Sequence, residues 1–371
     1  SNLQSIFYDE FGVDIPKEKF QYVPHHLSHL ASSYYFSGFD NSMGFTFDAS
    51  GDFSTAETFL ITNNKVKTLK KAIFPHSLGI FYQTLTQFLG FKTYGEEYKF
   101  MGLSSYGKPT YIEEIRKLIK FDKKNIVKLN LDYFLHHKKG FSYNFDGNSP
   151  KFPDFYSKKM LELLGPERKK NEKIDQRHMD IAFSVQKTFE EVIFEILKDL
   201  FNSYKIEKLC IAGGCANNSS LNGKILQNTE FSNIYIPSNV GDAGGAIGAA
   251  SYINLINNKT FKKTRINNFN LGPSFSNDEV KNEIDVLKLE EHYDLKLYKN
   301  FDELISFTTD RIIEGNVIAW FQGKMEFGPR ALGNRSILAD PRIKNMQDLI
   351  NKKVKRREEF RPFAPSILEE Q

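Results

Sequence analysis

The chain has 371 residues, 40% of them apolar and 26% charged, the composition of a folded globular protein that is too long for one ordinary domain. Its 50 basic and 46 acidic side chains leave a formal charge of +4, too mild and too evenly mixed to argue for a nucleic-acid or membrane partner. There is no run of about 18 apolar residues, and the opening SNLQSIFYDEFGVD has neither a basic region nor an apolar core, so neither a membrane span nor a signal peptide is expected. Cys210 and Cys215 are the only cysteines; they suit a reducing compartment, and the cytoplasm is the expected location.

In chain order, HHLSHLASSYYFSGF places Leu27, Leu30, Ala31 and Tyr34 at helical spacing until Gly38 ends the pattern, which predicts a short helix. MGFTFDASGDFSTAETFLIT then gives two strand runs around a small polar turn, a β-hairpin with Asp48 where its first strand ends. GIFYQTLTQFLGF is a second amphipathic helix. GEEYKFMGLSSYGKP, punctuated by glycines and stopped by Pro109, reads as a site loop. Residues 110–178 are charged and aromatic with weak period, as in a helical insertion or cap. A long helix is predicted over 179–204, with Ile181, Val185, Phe189, Val192, Ile196 and Leu200 as its apolar stripe. KLCIAGGCANNSSLNGKIL and NIYIPSNVGDAGGAIGAASYI each run strand, glycine turn, helix, the grammar of a layered α/β domain. The Asn-rich stretch over 256–273, closing on Gly272 and Pro273, reads as a linker between a first domain over 1–255 and a second over 274–371.

Several groups in this frame have chemistry to offer. His25 and His29 lie one helical turn apart, close enough to share a metal ion, while His26 points elsewhere. HxxxH alone also arises as a pair of surface histidines; a third ligand is needed, and Asp242 is the leading candidate, giving a set that suits Fe(II), Zn or Mn. The turns GGCANN and GDAGGAIGA put Gly213, Gly214, Gly244 and Gly245 where a strand meets a helix, the geometry that holds phosphate, although tight helix packing uses glycine equally. Neither turn matches a Walker or GxGxxG pattern. Asp48 and Asp52 flank a hairpin tip fit either for orienting a ligand or for a plain turn, and Glu96, Glu97 and Lys99 fit a solvated face. Lys324, Arg330, Arg335 and Arg342, interleaved with Gly328, Pro329 and Gly333, suggest an anion site rather than a nucleic-acid patch.

Together, VPHHLSHLASSYYFSGF, FTFDASGD, FPHSLGIFYQTLTQFLGF, GEEYKFMGLSSYG, IAGGCANNSSLNGKI, NVGDAGGAIGAA and WFQGKMEFGPRALGNRSILADPR resemble the O-carbamoyltransferase family of nodulation-factor and antibiotic biosynthesis, over most of the chain. The resemblance implies an actin-like, sugar-kinase-like ATPase fold of two α/β lobes over 1–255, followed by the beginning of a YrdC-like α/β domain. It further implies that carbamoyl phosphate and ATP (with Mg) form a carbamoyl-adenylate, whose carbamoyl group passes to a hydroxyl of a sugar or specialised metabolite. On the matching positions, His25, His29 and Asp242 are expected to bind the metal, Fe(II) foremost. Gly51, Gly213, Gly214, Asn217, Gly244, Lys324 and Arg330 are expected at the nucleotide and anion sites, and Asp48, His25 and Lys99 as catalytic groups. The family's opening strand would precede SNLQSIF and the rest of its second domain would follow RPFAPSILEEQ, so the resemblance implies an internal portion of a longer enzyme. The alternatives are a threonylcarbamoyl-adenosine tRNA-modifying transferase and a non-catalytic nucleotide-binding subunit. Oligomeric state stays open, a homodimer among the options.

Overall fold

Alternation along the first hairpin puts apolar side chains on both faces of a strand, and a strand so built must lie inside a sheet covered on both sides. The computed structural model, which describes residues 3–139, 144–146, 149–258, 265–368 and 370, has that arrangement. Strands β1 (Asn41–Gly51), β2 (Ser54–Thr62), β3 (Lys65–Ile73), β4 (Lys208–Ala212) and β5 (Asn233–Tyr235) form a five-stranded sheet in the order β3-β2-β1-β4-β5. The first three are an antiparallel meander, whereas β4 and β5 join in parallel, with Phe45 opposite Ile211 and Thr46 opposite Ala212.

The two faces have separate cores. Met43, Phe45, Phe47, Leu209 and Ile211 pack into the larger one with helices α2 (Leu78–Phe88) and α4 (Gln176–Tyr204). Phe59, Ile61, Cys210 and Tyr235 face the other way, onto helix α1 (His25–Tyr34) through Leu30, Ala31 and Tyr34. Helix α4 carries the stripe read from sequence and begins at an Asp175 capping box, three residues before the expected start. Helix α5 (Asp242–Asn258) lies against α1 so closely that a Cβ on Gly248 would sit 1.9 Å from the Ser28 carbonyl oxygen.

The mixed α/β reading stands, with one five-stranded sheet among the described residues. Several local readings change. GEEYKFMGLSSYGKP contains helix α3 (Glu97–Ser104) rather than a plain loop. The 110–178 segment is not mainly helical: it holds two short hairpins, 119–122 with 126–129 and 144–146 with 149–151. The hairpin turn of β1 and β2 falls at Asp52 and Phe53, both at positive φ. Helix α5 continues to Asn258, into the stretch read as a linker, and residues 259–264 of that stretch lie outside the described ones. Its remainder is tied to both sides: the Ile266 N–H donates to the Phe36 carbonyl, and the Gly272 N–H to that of Met325. Beyond it come helices α6 (Asn277–Val286) and α7 (Phe301–Ile313) and the antiparallel pair β6 (Ile318–Phe321) and β7 (Arg335–Leu338). No helix among the described residues is long and apolar enough to cross a membrane.

The α1–α5 contact predicts a contrast between two glycines of one helix. Gly248→Ala drives its Cβ into backbone and should destabilise the protein by about 2 kcal/mol or more. Gly245→Ala meets nothing nearer than the Ser28 Cβ at 3.9 Å and should be neutral or stabilising by up to about 1 kcal/mol. Denaturant unfolding of both variants checks the pair; equal effects would remove the close-packing account.

Candidate metal and nucleotide site

Four chain segments meet at the carboxyl end of β1. Helix α1 opens directly after Pro24, whose missing N–H is no loss there, so His25 occupies its first position and His29 the next turn. The His25 N–H donates to Asp52 Oδ2 at 2.8 Å, and Tyr22 donates its hydroxyl to the same oxygen, fixing the helix start on the hairpin turn. Gly51 leaves room for the His25 ring: a Cβ there would lie 2.1 Å from its Cδ2. The two Nε2 atoms consequently face each other at 3.0 Å. His26 turns away, as expected, and bonds Thr46 through Nδ1 at 2.9 Å; burial pushes its pKa down to about 4.

Asp48 comes from the last turn-ward part of β1. Its Oδ1 accepts from the Ala49 N–H at 2.8 Å and its Oδ2 from the Gly214 N–H at 3.0 Å, while Ser77 at the cap of α2 donates to the carbonyls of Asp48 and Ala49. Asp48 Oδ2 lies 3.2 Å from His29 Nε2 and 3.6 Å from His25 Nε2; Asp242, the first residue of α5, places Oδ1 3.4 Å and 3.9 Å from the same atoms. One ligand atom from each of the four residues lies within 4.8 Å of the others. Bonds of about 2.1 Å to one ion put neighbouring donors about 3.0–3.4 Å apart, so the set fits a first-row divalent metal after small adjustments. Asp48 thus joins the three residues expected as ligands in one group of donors that could hold a metal ion. A cavity of about 260 Å³, lined by Tyr22, Val23, His25, Ser28, His29, Asp52, Asp242 and Gly245, opens beside the cluster on the side of the exposed Asp242.

The charges are strongly coupled. Burial of His29 disfavours its cation, but hydrogen bonds to Asp242 and Asp48 prevail and raise its pKa to about 9. Burial likewise opposes ionisation of Asp48, and hydrogen bonds from His25, His29 and the Gly214 N–H more than offset it, holding the carboxyl well below the usual range. Asp242 is lowered, chiefly by its hydrogen bond from His29.

The two glycine turns converge as well. Gly213, at φ +102°, donates its N–H to the Val240 carbonyl at 2.8 Å, and its own Cβ would collide with the Phe47 carbonyl at 2.3 Å. Asn217 is exposed and donates to the Gly214 carbonyl at 3.1 Å; Gly244 lies in the first turn of α5, where a Cβ would sit 1.9 Å from the Asn239 carbonyl oxygen. Gly51 accommodates the His25 ring, and Gly214 gives its N–H to Asp48.

Lys99, expected as a catalytic group, is held in ion pairs. Its Nζ pairs with Glu96 at 2.7 Å and with Glu358 at 2.6 Å, and no ion pair among the described residues joins it to the histidine–aspartate cluster. In the β6–β7 loop, Glu326 Oε1 accepts from the Leu332, Asn334 and Arg335 N–H groups, and the Phe327 carbonyl accepts from the Ser238 hydroxyl at 2.7 Å, docking the loop on the chain just before Asp242. Arg335 is spent on the Gln322 carbonyl and on the Phe321 ring, and Arg342 on Asp340. Lys324 and Arg330 are exposed, without an ion pair among the described residues. Sequence reasoning missed the Tyr22–Asp52 anchor and Ser77; a serine directly before the apolar run of α2 was the available cap signal for the latter.

Two family profiles match the chain, carbamoyltransferase N-terminus over residues 12–251 and carbamoyltransferase C-terminus over 309–371. An uncharacterized protein of Synechocystis is 38% identical over 352 residues, 93% of this chain and 55% of its own length. Nodulation protein NolNO of Sinorhizobium fredii is 34% identical over 370 residues, 99% of this chain and 50% of its own. The 3'-hydroxymethylcephem-O-carbamoyltransferase of Streptomyces clavuligerus is 32% identical over 157 residues, 42% of this chain and 27% of that enzyme. The chain spans about half the length of the first two relatives.

The His29 proton makes metal binding pH-dependent. In the metal-free protein that proton stabilises the fold fully below the unfolded histidine value of about 6.5 and is lost as pH rises through about 9. An entering ion must displace it, so apparent affinity for a divalent metal should climb roughly tenfold per pH unit up to that point. Competition against a chelating dye at several pH values measures the slope. A flat profile would mean that His29 is not a ligand.

Proposed function

The chain belongs to the carbamoyltransferase family, and from that premise we propose that it serves ATP-dependent O-carbamoyl transfer to a hydroxyl of a small-molecule acceptor. The observation that carries the reading is the four-donor cluster of His25, His29, Asp48 and Asp242 set against the converging turns at Gly213 and Gly244. The name of the Streptomyces relative, an O-carbamoyltransferase, supports the reaction class.

In this reading, residues 1–255 form the transferase domain and residues 274–371 begin a YrdC-like domain. Water first cleaves carbamoyl phosphate to carbamate and phosphate; a carbamate oxygen then bonds to the α-phosphorus of ATP, supplied with Mg, as the bond from that phosphorus to pyrophosphate breaks, which gives a carbamoyl-adenylate. The acceptor oxygen then bonds to the carbamoyl carbon, the bond from that carbon to the AMP oxygen breaks, and the hydroxyl proton is released. The cluster would hold Fe(II), with Zn or Mn as the alternatives its donors also suit. Such an ion supplies Lewis-acid polarisation of a carbonyl or phosphoryl oxygen. Lys324 and Arg330, without an ion pair among the described residues, would gather the anionic substrates. Asp48, held so strongly as an anion, suits a ligand and not a general base. Gly213, Asn217 and Gly244 bound the space for the nucleotide, since glycine there lets backbone approach the phosphates closely.

Incubating the protein with carbamoyl phosphate, ATP and a panel of hydroxyl acceptors should release AMP and pyrophosphate in equal amounts and yield an O-carbamoyl product. His29→Ala should lower the rate roughly a hundredfold or more, with metal content falling in parallel. Absence of AMP with carbamoyl phosphate and every acceptor would reject the proposal.

A further inference from the structure

A second cavity, of about 470 Å³, lies in the 110–131 segment, and none of the residues lining it is acidic. Its cationic lining is Arg116, Lys117, Lys120 and Lys128, joined by His76, and its apolar lining includes Leu131, with Ile119 and Leu129 buried in the core behind it. The volume is in the range of small-molecule sites.

Two features make this charge more than a solvated face. Lys120 and Lys128 stand directly opposite each other in the antiparallel hairpin, so their side chains leave the same side of the ribbon. Like charges so paired are destabilising. In addition, the neighbouring charges are unevenly satisfied. Arg116 is balanced, with Glu191 at 3.0 Å and Glu113 at 2.6 Å. Lys117, Lys120 and Lys128 have no ion pair among the described residues. The nearest opposing charge on the hairpin is Asp122, one of whose oxygens is occupied by the N–H groups of Lys124 and Asn125. His76 accepts from the Leu129 N–H at 3.2 Å, and burial lowers its pKa, so the ring closes the cavity as a neutral group.

We infer that this cavity is a binding site for a small organic anion, a phosphate or sulfate group held between Lys117, Lys120 and Lys128 with its apolar body against the half-buried Leu131. A bound anion relieves the repulsion between the two opposed lysines, which gives the site a built-in preference for being occupied. The concave, partly apolar form favours a small molecule over nucleic acid, which would need an extended basic stripe. The inference does not rest on the carbamoyl-transfer reading, because no residue of the histidine–aspartate cluster lines the cavity.

Calorimetric titration with phenyl phosphate, in the presence of saturating ATP to fill the nucleotide site, tests it. Phenyl phosphate should bind, benzyl alcohol should not, and the Lys120→Gln/Lys128→Gln variant should bind at least tenfold more weakly. The same variant, freed of the like-charge pair, should melt at a higher temperature than the wild type without ligand, and phenyl phosphate should raise the melting temperature of the wild type only. Lys117→Gln, outside the hairpin pair, provides an independent loss of affinity. Abolition of the signal by ATP, equal binding by the double variant, or tighter binding of a duplex RNA through the same lysines would overturn the inference. None of these outcomes bears on release of AMP from carbamoyl phosphate and ATP.

Discussion

The carboxylate of Asp48 is the point on which the site depends. It is mostly buried, and a buried carboxylate is tolerated only when hydrogen bonds and a positive charge replace its water. Two N–H groups, from Ala49 and Gly214, supply the first requirement. The second falls to a proton on His29, whose pKa the two carboxylates raise to about 9, and a divalent ion held by His25, His29 and Asp242 would meet the same need. Parallel pairing of β1 with β4 makes this possible, because it brings the carboxyl ends of both strands to one edge, where open α/β sheets place their ligands. Gly213 and Gly214 are required there because the chain after β4 passes against the backbone of Phe47 and the side chain of Asp48 with no space for a Cβ. A single electrostatic demand thereby fixes the strand order, the glycines and the helix that carries the histidines.

Elements whose signal is local were legible in the sequence. Helix α1, the β1–β2 hairpin, helix α4 and both glycine turns follow from periodicity and turn chemistry. The alignment of His25 with His29 follows from helix geometry, and Asp242 was placed by the third-ligand requirement. Strand β3 was not legible: KVKTLKKAI is an edge strand whose lysines face solvent, the device by which sheets keep edges from pairing further, and its polarity hides the strand. Helix α3 was hidden by the flanking glycines of GEEYKFMGLSSYG, which suggested a loop. Asp48 was marked as important but not as a ligand, since its role depends on Gly214, 166 residues away.

Lys99 illustrates the same limit at greater range. Its Glu358 partner is 259 residues distant, and no local pattern announces the pair. Around it, Phe360 packs on Phe91, Arg361 lies 4.0 Å from the Tyr98 ring centroid, and Pro362 Cδ would touch a Cβ on Gly102 at 3.1 Å. The segment REEFRPFAPS therefore docks on α3, and the glycines of GEEYKFMG serve that docking as well as helix termination. A lysine between two glutamates, partly shielded from water, is stabilised as a cation, which makes it a poor proton donor and a good structural tie. The residue expected to do chemistry thus joins two regions matched by separate family profiles.

The histidine pair is held by contacts that do not involve a metal. Gly51 admits the His25 ring, Asp52 and Tyr22 secure the first turn of α1, and Gly248 brings α5 onto the same helix so that Asp242 faces the histidines. A zinc-finger site, by contrast, gains its geometry only as the ion binds, and its binding energy is spent on folding. Here the sheet supplies the geometry, so an ion would have little ordering to do and would compete chiefly with the proton on His29. An ion held in such a site would depend on pH and on the charge of two carboxylates, and the exposed Asp242 would leave that side open to a ligand.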